Sequence, residues 1–217
     1  MIKCESITKE YKLGNNATSV LKDSTLYIPA GTISCLVGVS GSGKTTLLKI
    51  IGLMLSATSG NVYIDNIKTN DLNDAERAKF RNEKIGYVSQ ENSLIPILTI
   101  KENIFLPQII AKKKTPDISE LIHYFDMEEC LDKYPDQISG GQKQIAAIIR
   151  AIGISPRIIL ADEPTSALDE KKTEKFMKLM KSMRDEMGTT ILLATHDIRL
   201  LEYADSVIRI ENGVVKC

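Results

Sequence analysis

Residues 38–45 read GVSGSGKT, and no other stretch restricts what this chain can fold into so tightly. The spacing G-x-x-x-x-G-K-[ST] belongs to a loop that joins a buried strand to the N-terminus of a helix and wraps a polyphosphate. Each part has a physical task. Gly38, Gly41 and Gly43 let the backbone turn tightly and bring its N–H groups close to phosphate oxygens. Lys44 sets an ammonium against the terminal phosphates, and the Thr45 hydroxyl can ligate magnesium. The flanks agree with this reading. Residues 33–37 (ISCLV) suit a buried parallel strand, and residues 46–55 (TLLKIIGLML) form an apolar run of helical length.

With 217 residues there is room for one α/β domain and a subdomain. Ahead of the loop the pattern predicts strands over 2–8 and 24–28, with Tyr11 and a polar loop over 14–19 between them. Beyond it come a short edge strand over 62–65 and a charged surface helix over 71–81, capped by Asp71 or Asn73. A buried strand over 85–89 follows, with Gln90 at its end. Between residues 91 and 153 helical periodicity replaces β-branched alternation, predicting helices over 99–110, 116–125 and 142–152. His123 has no second ligand nearby and reads as structural, and Lys112, Lys113 and Lys114 read as a solvated connection. Strand and helix then alternate again. A strand over 157–161 ends in Asp162-Glu163-Pro164, and a helix over 170–187 stops at Gly188. A strand over 190–194 ends at Thr195-His196-Asp197 and is followed by a helical segment over 198–203. A hairpin of 207–210 and 214–216 closes through Asn212-Gly213. Such alternation predicts a parallel sheet with its ligand at the carboxyl ends of the strands, where Gln90, Asp162 and His196 all fall.

Chemistry at those ends follows from residue type. Asp162 is the expected magnesium partner, and Glu163 is the candidate general base if the chain bends at Pro164. His196 can reach a γ-phosphate or the attacking water. Ser139-Gly140-Gly141-Gln142 makes a second glycine-lined helix start suited to an anion. One nucleotide already has its cradle at Lys44, so a second cradle serves the nucleotide of another copy. Two chains placed head to tail then sandwich two nucleotides.

In order and spacing, residues 38–45, Gln90, 138–142, 158–163, 166–169 and His196 resemble the Walker A, Q-loop, signature, Walker B, D-loop and switch histidine of an ABC-transporter nucleotide-binding subunit. The resemblance spans essentially the whole chain. It implies an α/β fold: a P-loop NTPase core with a mostly parallel sheet, an N-terminal antiparallel β subdomain and an inserted α-helical subdomain. The core then comprises residues 1–90 and 154–217, and the helical subdomain 91–153. The implied cofactors are ATP and Mg2+. The implied nucleotide contacts are Tyr11 (stacked on adenine), Gly38, Val39, Ser40, Gly41, Ser42, Gly43, Lys44, Thr45, Thr46 and Gln90. Thr45, Gln90 and Asp162 hold the metal, and Glu163 and His196 are catalytic. Ser139, Gly140, Gly141 and Gln142 contact ATP across the dimer, and Ser166, Ala167, Leu168 and Asp169 line the subunit interface. Two positions depart from the family pattern. Ile138 stands for the usual leucine, and Ile145 for the usual arginine, which removes one polar contact near the signature helix.

The implied partners are a second copy and a separate transmembrane permease, which alone would hold the protein at the inner face of the cell membrane, on the cytoplasmic side. Residues 98–107 (LTIKENIFLP), preceded by 81–86 (RNEKIG), resemble the group of lipoprotein-releasing, macrolide-export and antimicrobial-peptide-resistance ATPases. An early end after the hairpin, without a regulatory domain, fits the same group. Export or extraction of a peptide, lipoprotein or hydrophobic drug is the expectation. A non-transporting mechanical regulator of the cell-division type stays open beside it. A soluble ABC ATPase acting on ribosomes or DNA fits less well, because 28 basic and 28 acidic residues leave no footprint for nucleic acid. The apolar runs are too short and interrupted to span a bilayer, and MIKCESITKE is not a signal peptide. Cys4, Cys35, Cys130 and Cys217 lack metal or redox spacing and read as reduced cytosolic thiols.

Overall fold

The computed structural model describes residues 1–13, 16–91, 93–111 and 117–216. Gly14, Asn15, Lys112, Lys113, Lys114, Pro116 and Cys217, which enter the expectations above, lie outside the described residues. The chain opens with a long antiparallel pair, β1 (Ile2–Leu13) and β2 (Asn16–Ile28). The short β3 (Ile33–Val37) leads through the glycine loop into α1 (Lys44–Ile51). β4 (Ser59–Ile64) and the two-residue β5 (Ile67–Lys68) return to the first sheet, whose order is β2-β1-β4-β5. Next come α2 (Asp74–Lys84) and β6 (Ile85–Val88), then three helices: α3 (Ile100–Ala111), α4 (Ser119–Tyr124) and α5 (Gly140–Ile152). β7 (Ile158–Asp162), α6 (Glu170–Met187), β8 (Thr190–Ala194), β9 (Ser206–Glu211) and β10 (Val214–Lys216) complete the chain. The second sheet runs β10-β9-β3-β8-β7-β6, parallel throughout except for the β10 hairpin strand.

Side-chain alternation along the parallel strands divides the interior into two cores. Ile33, Cys35, Ile159, Ala161, Ile191 and Leu193 face a core shared with α3, α5 and α6. Leu36, Ile158, Leu160, Leu192, Ala194 and Ile208 face the other, shared with α1 and the antiparallel sheet. Both faces of the strands are therefore covered, which is why they read as continuous apolar runs. The two sheets are tied at the hairpin turn. The Gly213 carbonyl accepts bonds from Lys22 N at 2.8 Å and Ser24 Oγ at 2.8 Å.

Several expected boundaries shift. Asn16 to Ser19 do not lie in a loop but in β2, where Thr18 and Ser19 pair with Tyr11 and Glu10. Polar residues on an exposed hairpin carry no apolar alternation to announce them. The strand expected over 62–65 is longer and is not at the edge, because β5 pairs outside it. The helix after the glycine loop stops at Ile51, four residues early, where Gly52 caps it and Leu53 turns to φ +56°. Residues 198–203 form a 3-10 helix. Asn73, rather than Asp71, caps α2, in a reciprocal box with Glu76. No helix among the described residues is long and apolar enough to cross a membrane.

Candidate active site

The glycine loop is shaped by what surrounds it. A Cβ at residue 38 would stand 2.4 Å from the Ile210 carbonyl oxygen of β9, so only glycine fits. Gly41 and Gly43 hold φ of +77° and +108°. Gly43 occupies the N-cap of α1 without any side-chain cap, and the first turn has no acidic residue. The unpaired N–H groups of that turn thus face the loop and favour an anion. Lys44 is only 8% exposed, and its Nζ donates to the carbonyls of Gly38 at 2.7 Å and Val39 at 3.2 Å. Those bonds hold the ammonium across the mouth of the loop.

The strand ends supply the rest. Asp162 closes β7 and is 3% exposed. Burial, with the Glu163 charge adding to it, raises this carboxyl above the usual range. A nearby cation would relieve that cost. The bend that brings the two acids to one site is at Glu163 itself, where φ is +48°, immediately before Pro164. Glu163 N donates to Ala194 O at 2.8 Å, which anchors the bend to the end of β8. The Glu163 carboxylate Oε1 stands 3.0 Å from His196 Nδ1, and Oε2 accepts from His196 N at 3.4 Å. Gln90 lies exposed just past β6.

One cavity of about 570 Å³ takes its lining from all of these: Gly38, Lys44, Thr45, Gln90, Asp162, Glu163 and His196. Val39, Ser40, Gly41, Gly43 and Thr46 also line it, whereas Ser42 is buried beside the Gly38 backbone. Val20 of β2 lines it too and was missed by sequence reasoning. Its only possible signal was a strand extending back past residue 24. Thr45, Asp162 and Gln90 offer a hydroxyl, a carboxylate and an amide oxygen, a hard donor set that fits magnesium. No group of three or more His, Cys, Asp or Glu gathers among the described residues.

Other expected residues lie outside this lining. Ser139 and Gln142 form a reciprocal capping box at the start of α5, with Gln142 N donating to Ser139 Oγ at 3.2 Å. Gly140 has open space around it, and a Cβ on Gly141 would stand 2.9 Å from the Ala167 carbonyl. Residues 139–142 thus abut residues 166–169 of the same chain. Ser166 Oγ donates to Glu163 O at 3.0 Å, Leu168 packs against the core, and Asp169 caps α6 by accepting from Lys172 N. Tyr11 sits on the exposed part of β1, with Lys9 Nζ 5.2 Å from its ring centre. Ile145, in place of the expected arginine, is fully packed in the core.

Comparison with known proteins follows the same lines. Residues 21–166 match the family described as ABC transporter. The chain is 44% identical to MJ0796 of Methanocaldococcus jannaschii, an uncharacterized ABC transporter ATP-binding protein, covering 100% of this chain and 95% of that one. A dimeric structure of a post-hydrolysis state of the MJ0796 cassette, bound to ADP and Pi, superposes with a TM-score of 0.95 at 42% identity. That superposition covers 100% of this chain and 97% of the other. The lipoprotein-releasing system ATP-binding protein LolD of Blochmanniella floridana is 37% identical over 98% of this chain and 92% of its own. The macrolide export ATP-binding/permease protein MacB of Rhodopirellula baltica is 36% identical over 99% of this chain, which spans 32% of that longer protein. Matched along its length and built around one phosphate loop, the chain belongs to the ABC transporter family and is one of its ATPase cassettes.

Proposed function

We propose that two copies of this chain close head to tail on two ATP molecules and, through a separate permease, drive export or extraction of a peptide, lipoprotein or hydrophobic drug. The observation that carries this reading is the single cavity joining the glycine loop to three strand ends. In it the N-terminus of α1, the loop N–H groups and Lys44 bind the β- and γ-phosphates, while Tyr11 stacks on adenine. Thr45, Asp162 and Gln90 hold Mg2+, which neutralises charge on the phosphate oxygens when bound. Glu163 accepts the proton of the attacking water, oriented by its contact with His196, and His196 also meets the γ-phosphate.

Residues 139–142 stand outside that lining, at an exposed helix start with open space at Gly140, which supports a role toward the partner copy's nucleotide. Residues 166–169 then form the interface, and their contact with residue 141 couples signature and hydrolytic bend within one chain. In this reading the chain divides into a core of 1–90 and 154–217 and a helical part of 91–153 that carries the signature and moves against the core when ATP binds. A groove of about 360 Å³ between α2, β6, α3 and α5, beside the exposed Ile109 and Ile110, suits a short helix of the permease. Docked there, the protein is peripheral on the cytoplasmic face. Glu163→Gln should retain ATP while lowering turnover by about 10²- to 10⁴-fold in a phosphate-release assay. Full turnover would remove Glu163 from the catalytic role.

A further inference from the structure

Lys9 and Tyr11 alternate with Glu10 along β1 and so share one face of the antiparallel sheet. Lys9 Nζ stands over the Tyr11 ring, 5.2 Å from its centre, and donates to Ser56 O at 2.9 Å. Ser56 lies in the loop that leaves α1, and Arg77 Nη1 of α2 donates to its hydroxyl at 3.0 Å. Thr58 N donates to Thr8 O at 2.8 Å, and Glu10 N donates to Thr58 Oγ1 at 3.0 Å. These bonds fasten the loop to β1 on both sides of Lys9, so the ammonium has a fixed seat over the ring.

Across the hairpin Tyr11 pairs with Thr18. The register passes from Ser19, opposite Glu10, to Leu21, opposite Lys9, and leaves Val20 as an inserted residue without a partner on β1. Val20 follows Thr18 at the strand repeat, which makes it the diagonal neighbour of Tyr11, about 7–8 Å away. Val20 also lines the phosphate cavity, and its carbonyl would stand 3.0 Å from a Cβ on Gly43 of the glycine loop. One face of the hairpin therefore runs from the wall of the phosphate cavity to the Tyr11 ring.

A cation over an aromatic face is attracted by the ring's electrons and excludes a second partner from that face. The ring is still 44% exposed, which leaves its other face to a flat partner. We propose that Lys9 is a positioning residue for the nucleotide base: braced by Ser56, its ammonium holds the Tyr11 ring in the plane on which adenine stacks. The proposal rests on the reading of Tyr11 as the adenine partner. An exposed tyrosine loses side-chain freedom when a base stacks on it, and a ring already held loses less, so the lysine raises affinity without touching the nucleotide.

The test compares calorimetric affinities of the full chain for ADP and for inorganic pyrophosphate, which offers the phosphates without the base. Lys9→Met keeps the length of the side chain and removes its charge. It should weaken ADP binding about three- to fivefold and leave pyrophosphate binding unchanged, a split that a merely structural residue would not produce. Lys9→Arg, which keeps a cation over the ring, should restore ADP affinity. Tyr11→Ala should weaken ADP binding about tenfold or more, and adding Lys9→Met to it should cost nothing further. Parental ADP affinity in Lys9→Met, equal losses for ADP and pyrophosphate, or an undiminished loss in the Tyr11→Ala background overturns the lysine proposal alone. Parental ADP affinity in Tyr11→Ala overturns the stacking reading beneath it.

Discussion

Glu163 shows how much the site depends on single backbone angles. Its φ of +48° lies in a region that costs a side-chain-bearing residue about 1–2 kcal/mol, and the bond from its N–H to Ala194 O holds it there. The sequence displayed the acid pair and Pro164, but the turn falls one residue earlier than the proline suggests. Gly38 is governed by packing as much as by chemistry. Gly38→Ala should lower stability by about 1–3 kcal/mol in urea unfolding and abolish ATP binding, since its Cβ would press on the backbone of β9. An unaffected variant would mean that the loop is not seated on β9. The buried thiols allow a test of pH dependence. Burial pushes Cys4 up to about 12 and Cys35 up to about 11. Both lie above the unfolded value of about 8.5, so the unfolded chain loses these protons first. Stability is therefore full below about pH 8.5 and falls as pH rises toward the folded values, by about 1.4 kcal/mol per pH unit for each thiol. Urea unfolding of Cys4→Ala should show a shallower decline above about pH 9 than the parent chain, and equal slopes would refute it.

At the scale of elements, those with an apolar run, a capping residue or a turn signal were legible, and a polar strand without one was not. β3, β7 and β8 are apolar runs covered on both faces, and residues 190–194 and 170–187 fall where the pattern puts them. The first half of β2 is polar and paired only along a hairpin, so its residues read as a loop, and with it went Val20. The groove between α2, β6, α3 and α5 had no sequence signature, because its wall comes from elements distant in the chain. Helix caps were readable where a side chain does the capping. Asn73→Ala removes the box with Glu76 at the start of α2 and should cost about 1 kcal/mol in thermal or urea unfolding. ATPase activity without the permease should be unchanged, since α2 lies outside the phosphate cavity. A loss of ATPase activity without a loss of stability would contradict that separation.

For the whole molecule, the proposed head-to-tail closure makes the glycine loop half of a site. The loop, Gln90, Asp162, Glu163 and His196 share one cavity, while residues 139–142 abut residues 166–169 and stay outside it. In the proposed dimer the cavity of one copy and the exposed helix start of the other complete each site. Individual motifs were legible because each has a local spacing. Their complementarity was readable as a second glycine-lined helix start at 139–142, and the fold adds that this start lies outside the phosphate cavity and abuts residues 166–169. The direct measurement is the mass of Glu163→Gln in solution with ATP and Mg2+, by light scattering. A dimer that forms with ATP, and reverts to monomer when Ser139→Arg is added, is the predicted result. A monomer under ATP, or a dimer indifferent to Ser139→Arg, would contradict the shared site.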